Sequence, residues 1–142
     1  MKKVFLAVLA IIATTFTADA QKVNAAKVPI AVKTSFAKQF RGASAQWEKE
    51  GTKYEAGFLV KGNAMSAVFD AKGVLEETET GIKQGELPSK VLSYLKDHYK
   101  GKNIEEKAKI TKADGTITYE VGVGGKEVIF DSAGNFLKEA KD

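Results

Sequence analysis

The stretch YEAGF at positions 54–58 is nearly repeated as YEVGV at positions 119–123. Both begin with Tyr-Glu and carry a glycine at the fourth position, Gly57 in the first and Gly122 in the second. Apolar and aromatic residues alternate with other residues in both stretches, a period of two that is typical of half-buried antiparallel strands. Two strands with the same residue pattern indicate either a repeated fold or a repeated functional surface.

A matching helix precedes each of these strands. VPIAVKTSFAKQFRG begins at Val28, and LPSKVLSYLKDHYKG begins at Leu87. Apolar residues recur every four positions in each segment, which places them on one helical face. Proline stands near each start and glycine follows each end, Gly42 and Gly101, as helix termini favour. The sequence predicts two amphipathic helices.

Two further signatures are the turns FDAKG at 69–73 and FDSAG at 130–134. In such a turn the aspartate accepts hydrogen bonds from turn amides and the glycine takes the left-handed conformation. Alternating patterns predict additional strands on either side of the turns and of the YE strands. These strands cover residues 44–50, 74–82, 104–112 and 136–141.

The repeated order of these elements predicts an α+β fold built from a tandem duplicated unit. Each unit has one helix followed by about four antiparallel strands. Repeat one covers residues 28–83 and repeat two covers residues 86–142, with the junction near Glu86. Residues 21–27, QKVNAAK, are predicted to be a flexible N-terminal segment.

The N-terminus has the pattern of a secretory signal peptide. Lys2 and Lys3 precede an apolar stretch, and Ala18-Asp19-Ala20 supplies small residues at the cleavage site. We expect residues 1–20 to be removed, a mature start at Gln21, and a periplasmic or secreted product. The alternative is an N-terminal anchor that stays attached. No other segment is apolar enough for a transmembrane span, and the mature chain is expected to have none.

The composition narrows the classes of function. The chain has no cysteine, which excludes thiol catalysis, thiolate metal sites and disulfides. The formal net charge is +4, but basic residues are scattered among acidic ones, as in EEKAK at 105–109. A nucleic-acid-binding protein would concentrate basic residues on one element, so no nucleic-acid partner is expected.

The residues that could carry chemistry have simpler structural interpretations. His98 is the only histidine and lies near the end of the second helix, where a cation favours the helix dipole. The acidic cluster Glu76, Glu77 and Glu79 could attract a cation, but charge that protects an edge strand is the favoured interpretation. Trp47 could anchor an interface, and packing beneath a helix is favoured. We therefore expect no enzyme activity, no catalytic residues, no metal site and no cofactor.

The motifs together resemble a known family. A Trp-Glu strand at 47–48, YEAGF, FDAKG, ELP at 86–88, YEV and FDSAG follow in an order similar to the PepSY-like, β-lactamase-inhibitor-like family of secreted bacterial proteins. The resemblance covers about residues 28–140. It implies helices packed on one face of a curved antiparallel sheet whose other face is open and grips a partner protein. The chain lacks the disulfides of the true β-lactamase inhibitors.

The resemblance suggests an exported, non-enzymatic protein-binding module that inhibits or regulates an envelope peptidase or other hydrolase. If the helices cover the tyrosine-bearing face, a second set of side chains faces outward and is expected to contact the partner. These are Glu48, Glu55, Gly57, Leu59, Glu120 and Gly122, with the hairpin tips at Gly62-Asn63 and Asp114-Gly115. The alternative function is a small-ligand- or cation-binding envelope sensor.

Glycine inside a strand weakens it unless another chain or a bulky side chain must come close. Gly57 and Gly122 therefore suggest a surface for close approach. The favoured alternative is that both glycines mark β-bulges that curve the sheet.

Overall fold

The computed structural model describes residues 20–141, the side chain of Lys141 excepted. Apart from Ala20, the predicted signal peptide lies outside these residues. The described residues form two α-helices and a nine-stranded antiparallel sheet whose strand order follows the chain. The helices are α1 (Ile30–Gln39) and α2 (Ser89–His98). The strands are β1 (Gln21–Val23), β2 (Gln46–Glu50), β3 (Lys53–Val60), β4 (Asn63–Phe69), β5 (Leu75–Gly81), β6 (Ile104–Lys112), β7 (Ile117–Val123), β8 (Lys126–Asp131) and β9 (Phe136–Lys141).

The predicted order of one helix followed by four strands is found twice, with β2 to β5 after α1 and β6 to β9 after α2. The chain divides into two units, the first ending at Thr78 and the second beginning at Glu79. The boundary therefore falls within β5, whereas the sequence indicated a junction near Glu86. The second half of β5 belongs with the second unit because its neighbour Ile82 donates its backbone N–H to the Lys107 carbonyl of β6 at 3.0 Å.

In the first unit, one face of α1 packs into an aromatic core. Pro29 immediately precedes α1, where its fixed φ suits a helix start, and Val32 and Phe36 are the buried residues of the helix. The Phe36 ring lies 5.5 Å from the Trp47 ring and 5.0 Å from the Phe58 ring, both in edge-to-face geometry. Trp47 is only 7% exposed and contacts Phe36 of α1, so it is a core residue.

In the second unit, α2 contributes Val91 and Leu95 to a more aliphatic core. Leu87 and the strand residues Val121, Val123, Val128 and Phe130 complete the buried cluster. These strand residues alternate with side chains on the opposite face, as the period-two pattern predicts. Neither helix, nor any other in the described residues, is long and apolar enough to cross a membrane.

Both FDxxG segments form the predicted turns. The Asp70 carboxylate accepts hydrogen bonds from the backbone N–H groups of Lys72 and Val74 at 2.8 and 2.9 Å. The corresponding glycine, Gly73, has a φ of +86°. Asp131 makes the same two bonds in the second unit, to the N–H groups of residues 133 and 135. Each turn is thus held by a side-chain oxygen rather than by packing alone.

The prediction of a flexible segment at residues 21–27 is wrong. Gln21–Val23 forms β1 and pairs with β2, with Val23 opposite Trp47. Ala25–Lys27 forms a 3₁₀ helix whose first turn is capped by Asn24, since its Oδ1 accepts the Ala26 N–H at 2.9 Å. The segment holds few apolar residues, so hydrophobic patterning did not reveal it. Backbone pairing with β2 and a local cap order it instead.

Candidate functional site

The side of β3 away from the first-unit core carries the predicted contact residues. Ala56 and Phe58 belong to that core, whereas Glu55, Gly57 and Leu59 alternate with them. Three rows of cross-strand neighbours run over this side. Glu55 stands between Glu48 and Val68, Gly57 stands between Gln46 and Ser66, and Leu59 stands beside Ala64. We call Glu48, Glu55, Gly57, Leu59, Ser66 and Val68 the first-unit patch.

Glu55 is on the predicted side of β3 but is not the outward-facing side chain that the sequence indicated. Its residue is only 9% exposed, because Glu48 and Val68 flank it on the adjacent strands. Burial raises the pKa of Glu55 from its ordinary value of 4.5 to about 7. Alternation along a strand predicts the side on which a residue lies, but it does not predict how closely its neighbours cover it.

The groups around Glu55 act on its pKa in opposite directions. The Ser66 hydroxyl donates a hydrogen bond to the Glu55 carboxylate, which stabilises the charged form and lowers the pKa. The nearby carboxylates of Glu48, Glu50 and Glu77 raise it, with a smaller effect than burial. A pKa of about 7 leaves Glu55 close to half protonated at neutral pH.

Gly57 and Leu59 form the accessible part of the first-unit patch. A Cβ atom added to Gly57 would meet only the backbone oxygen of Gln46, at 3.9 Å, so the space above this residue is open. The register of β3 with both neighbouring strands is regular at Gly57. Leu59, two residues further along the same side, is 61% exposed. The open space over Gly57, beside exposed Leu59, leaves room for a side chain from another molecule.

Gly122 has a different environment in the second unit. The pairing of β6 with β7 shifts register between Ile104 and Lys107, opposite this glycine. A Cβ atom on Gly122 would lie 3.3 Å from the backbone nitrogen of Glu106. The bulge interpretation therefore holds at Gly122, where the glycine accommodates extra residues of β6, and does not hold at Gly57.

Glu120 lies beside this bulge and is also more buried than the sequence indicated. It is 9% exposed and stands between Ala108 and Ile129, each 7% exposed. Glu127, the cross-strand neighbour of Gly122, is 8% exposed. The second unit therefore presents buried carboxyl groups among apolar neighbours rather than an exposed acidic row.

The acidic cluster on β5 does not protect an exposed edge, which corrects the favoured interpretation. Glu77 is 5% exposed and Glu79 is 7% exposed, and β5 has neighbours on both sides in the strand order. Glu76 points the other way, as predicted, and its Oε2 lies 2.6 Å from Lys53 Nζ. Nothing in the sequence of β5 distinguishes a central strand from an edge strand.

Ser66 and Val68 are the two members of the patch that the sequence did not predict, and Ser66 is the polar one. It is 1% exposed and lies beside Gly57 while bonding Glu55. A single hydroxyl in the otherwise apolar stretch AMSAVF was the available signal. Buried polar groups are almost always hydrogen-bonded, so a hydroxyl at such a position indicates a polar partner on a neighbouring strand.

His98 is the last residue of α2 and lies at the surface. Its Nδ1 is 2.9 Å from the Tyr94 carbonyl oxygen, and its ring stacks on the Tyr94 ring at 3.9 Å. These contacts give the histidine a structural role at the helix end. Within residues 20–141, no group of three or more His, Cys, Asp or Glu side chains is arranged to hold a metal ion.

Solved structures with the same fold come from Bacteroides species. A protein of Bacteroides eggerthii described as "putative periplasmic" superposes with a TM-score of 0.75 at 15% identity, covering 80% of this chain and 88% of its own. A DUF2874 family protein of Bacteroides ovatus has a TM-score of 0.71 at 18% identity, covering 80% and 86%. A BLIP-like protein of Bacteroides fragilis has a TM-score of 0.64 at 24% identity, covering 78% and 84%. These similarities show the fold.

The family of the chain is identified from its amino-acid sequence. No curated protein matches the chain. The model of the family described as "Putative beta-lactamase-inhibitor-like, PepSY-like" matches residues 52–138, which is more than half of the chain and includes both YE strands. The chain therefore belongs to the PepSY-like, β-lactamase-inhibitor-like family, as its motifs predict.

Proposed function

We propose that this protein is an exported, non-enzymatic binding module that inhibits or regulates an envelope peptidase or another hydrolase. In this proposal the two units are copies of one ancestral unit. In each copy the helix covers one side of the strands, and the other side meets the partner. Membership of a β-lactamase-inhibitor-like family and similarity to a BLIP-like protein support an inhibitor-type role. The description of the B. eggerthii neighbour supports export to the periplasm, and the N-terminal sequence pattern supports Gln21 as the mature start.

The observation that carries the proposal is the open space over Gly57 beside exposed Leu59. A partner side chain in the open space over Gly57 would contact Leu59 on one side and reach Glu48 and Glu55 on the other. Apolar burial supplies affinity at the centre of such a contact. The carboxylates favour a partner loop that carries lysine or arginine.

Glu120 and Gly122 are the residues of the second unit that match Glu55 and Gly57. The bulge of β6 takes up the space over Gly122, so this glycine offers no open space. We therefore place the contact on the first-unit patch. The asymmetry predicts that substitutions in the first unit weaken binding more than the matched substitutions in the second.

Leu59→Asp is expected to weaken partner binding about tenfold or more, since burying a carboxylate at the centre of a contact loses the apolar gain and adds a desolvation cost. The measurement has two steps. The tagged wild-type protein first captures its partner from envelope extract by cross-linking, and the affinity of the identified partner for each variant is then measured. The partner's hydrolytic activity, with and without the wild-type protein, tests inhibition.

Ile30→Asp is the matched control, because Ile30 is an exposed aliphatic residue of α1, 78% exposed, and does not belong to the patch. It should bind like the wild type. Equal affinities for Leu59→Asp and the wild type would rule out the patch as the contact. Lack of any effect on the partner's activity would rule out the inhibitor role.

The alternative is a small-ligand- or cation-binding envelope sensor, for which residues 20–141 offer no cluster of three or more metal-binding side chains. It predicts that a divalent cation raises the melting temperature, because a ligand that binds only the folded state stabilises it. The binding module predicts no shift when calcium or magnesium chloride replaces sodium chloride at equal ionic strength. A rise that saturates with calcium concentration and disappears in Glu55→Gln would favour the sensor.

A further inference from the structure

A cleft of about 440 Å³ opens in the second unit alongside α2, and its lining begins at Gln84 and Leu92. The last turn of α2, the loop at residues 100–102 and the facing ends of β6 and β7 surround it. Its apolar wall is formed by four residues, Leu92, Leu95, Ile104 and Val123. A volume of this size lies within the range of small-molecule sites in proteins.

Three residues that line this cleft differ from their matched residues in the first unit. There the rings of Phe36, Phe40 and Phe58 pack together, with centroid separations of 5.5, 5.0 and 4.6 Å. Alignment of the two helices and of the two YE strands matches these positions with Leu95, Tyr99 and Val123. Leucine and valine are smaller than phenylalanine, so two of the three rings are absent from the second unit.

Tyr99, the residue at the remaining matched position, does not fill the cleft either. The Tyr99 hydroxyl donates a hydrogen bond to Glu139 on β9, and Glu139 Oε1 also lies 2.5 Å from Lys126 Nζ. This pair of contacts holds the Tyr99 ring by its hydroxyl end. The tyrosine therefore forms a wall of the cleft.

The rim of the cleft is positively charged. Lys96, Lys100 and Lys102 line it, and no aspartate or glutamate is among its lining residues. The Lys102 stem lies over Gly124, where an added Cβ would be 3.3 Å from the lysine Cδ. Gly124 has a φ of +58°, so the tight β7–β8 turn requires glycine and its lack of a side chain leaves room for the lysine.

We propose that this cleft binds a small amphipathic anion, an alkyl or aryl body that carries one carboxylate or sulfonate group. The apolar body would cover Leu92, Tyr99 and Ile104, the partly exposed members of the lining, and the anion would lie among the rim lysines. Burial of apolar area provides the affinity, and the lysines orient the ligand. The inference stands apart from the proposed function, because the cleft and the first-unit patch lie in different units.

The test uses dodecanoate and the fluorescent probe anilinonaphthalene sulfonate with the purified protein. Saturable 1:1 probe binding that dodecanoate displaces is expected for the wild type. Lys96→Glu/Lys102→Glu is expected to weaken dodecanoate binding at least about tenfold, since it replaces two attractive charges by two repulsive ones. The uncharged analogue dodecanol should be affected much less. The exposed first-unit pair Lys38→Glu/Lys72→Glu is the matched charge control and should leave both affinities unchanged.

Val123→Phe restores the ring found at the matched position of the first unit and is expected to abolish binding of both ligands. Thermal melts establish that each variant is folded. If Val123→Phe does not fold, the binding measured for Lys96→Glu/Lys102→Glu tests the proposal. No saturable binding by the wild type would overturn the proposal. Equal dodecanoate affinity in the folded lysine variant and the wild type would also overturn it.

Discussion

Replacing Gly73 by alanine is expected to cost about 3 kcal/mol of unfolding free energy, a large fraction of the stability of a small protein. Two effects combine. Gly73 has a φ of +86°, a conformation that strains any residue with a Cβ atom. The added Cβ would also lie 2.5 Å from the Ala31 carbonyl oxygen and 2.8 Å from its carbon. Both are helix backbone atoms of α1, which cannot move aside without disturbing the packing of the helix.

Gly115 provides the matched control, because its φ is also +86° but no atom lies within 4 Å of its added Cβ. Gly115→Ala should cost only the conformational term, about 1–2 kcal/mol. Gly134, in the second FDxxG turn, should fall between the two, since its Cβ would meet side-chain carbons of Pro88 and Lys90 at 3.0 Å. Urea unfolding of the three variants measures the series. Equal losses for Gly73→Ala and Gly115→Ala would show that close approach of the turn to α1 is unimportant.

Replacing Glu55 by glutamine is expected to remove a pH-dependent loss of stability of about 3 kcal/mol. The wild-type pKa is raised in the folded protein from 4.5 to about 7, chiefly by burial. Between these two values the folded state binds more protons than the unfolded state, so the unfolding free energy falls as pH rises. The contribution of protonated Glu55 is fully present below pH 4.5 and is lost as the pH passes through about 7.

The expected result is therefore a difference in stability that grows as the pH rises. Near pH 4 the wild type and Glu55→Gln should differ little, whereas at pH 8.5 the variant should be more stable by up to about 3 kcal/mol. Urea unfolding at several pH values measures this difference, and comparison with the wild type cancels the groups common to both. Glu76→Gln is the control, because it removes a carboxylate from the half-exposed ion pair with Lys53, a change worth less than about 1 kcal/mol.

A constant difference between Glu55→Gln and the wild type from pH 4 to 8.5 would contradict the raised pKa. The effect also bears on the proposed function. A partner that brings a lysine or arginine to the first-unit patch would stabilise the charged form of Glu55, so binding should release a proton near neutral pH. Stability and partner affinity would then respond to pH in opposite directions.

Local signals in the sequence predicted most of the elements. The strands at 104–112 and 136–141 begin and end where the alternating pattern places them. The FDxxG turns have the expected aspartate bonds and left-handed glycines. The exception is β1, whose few residues lack a pattern because its order comes from pairing with β2. Short-range rules work where the interacting groups lie within a few residues of one another.

The candidate site was predicted less completely. The sequence identified the side of β3 on which Glu55, Gly57 and Leu59 lie, but it gave the same expectation for Gly57 and Gly122. The structure separates them, since only Gly122 faces a bulge in the neighbouring strand. A bulge in β6 is a property of the pairing between two strands, and no residue of YEVGV encodes it.

By itself, the sequence determined two helix-and-strand units with their turns, because alternation, helix periodicity, proline and glycine act on the chain locally. It also determined membership of the family, since the same local motifs define it. The burial of Glu55 and Glu120, and the presence of a cleft beside the end of α2, could be learned from the tertiary structure alone. Burial and cavity volume depend on side chains that come together from strands and helices distant in the chain. No single segment of the sequence therefore contains the information that sets them.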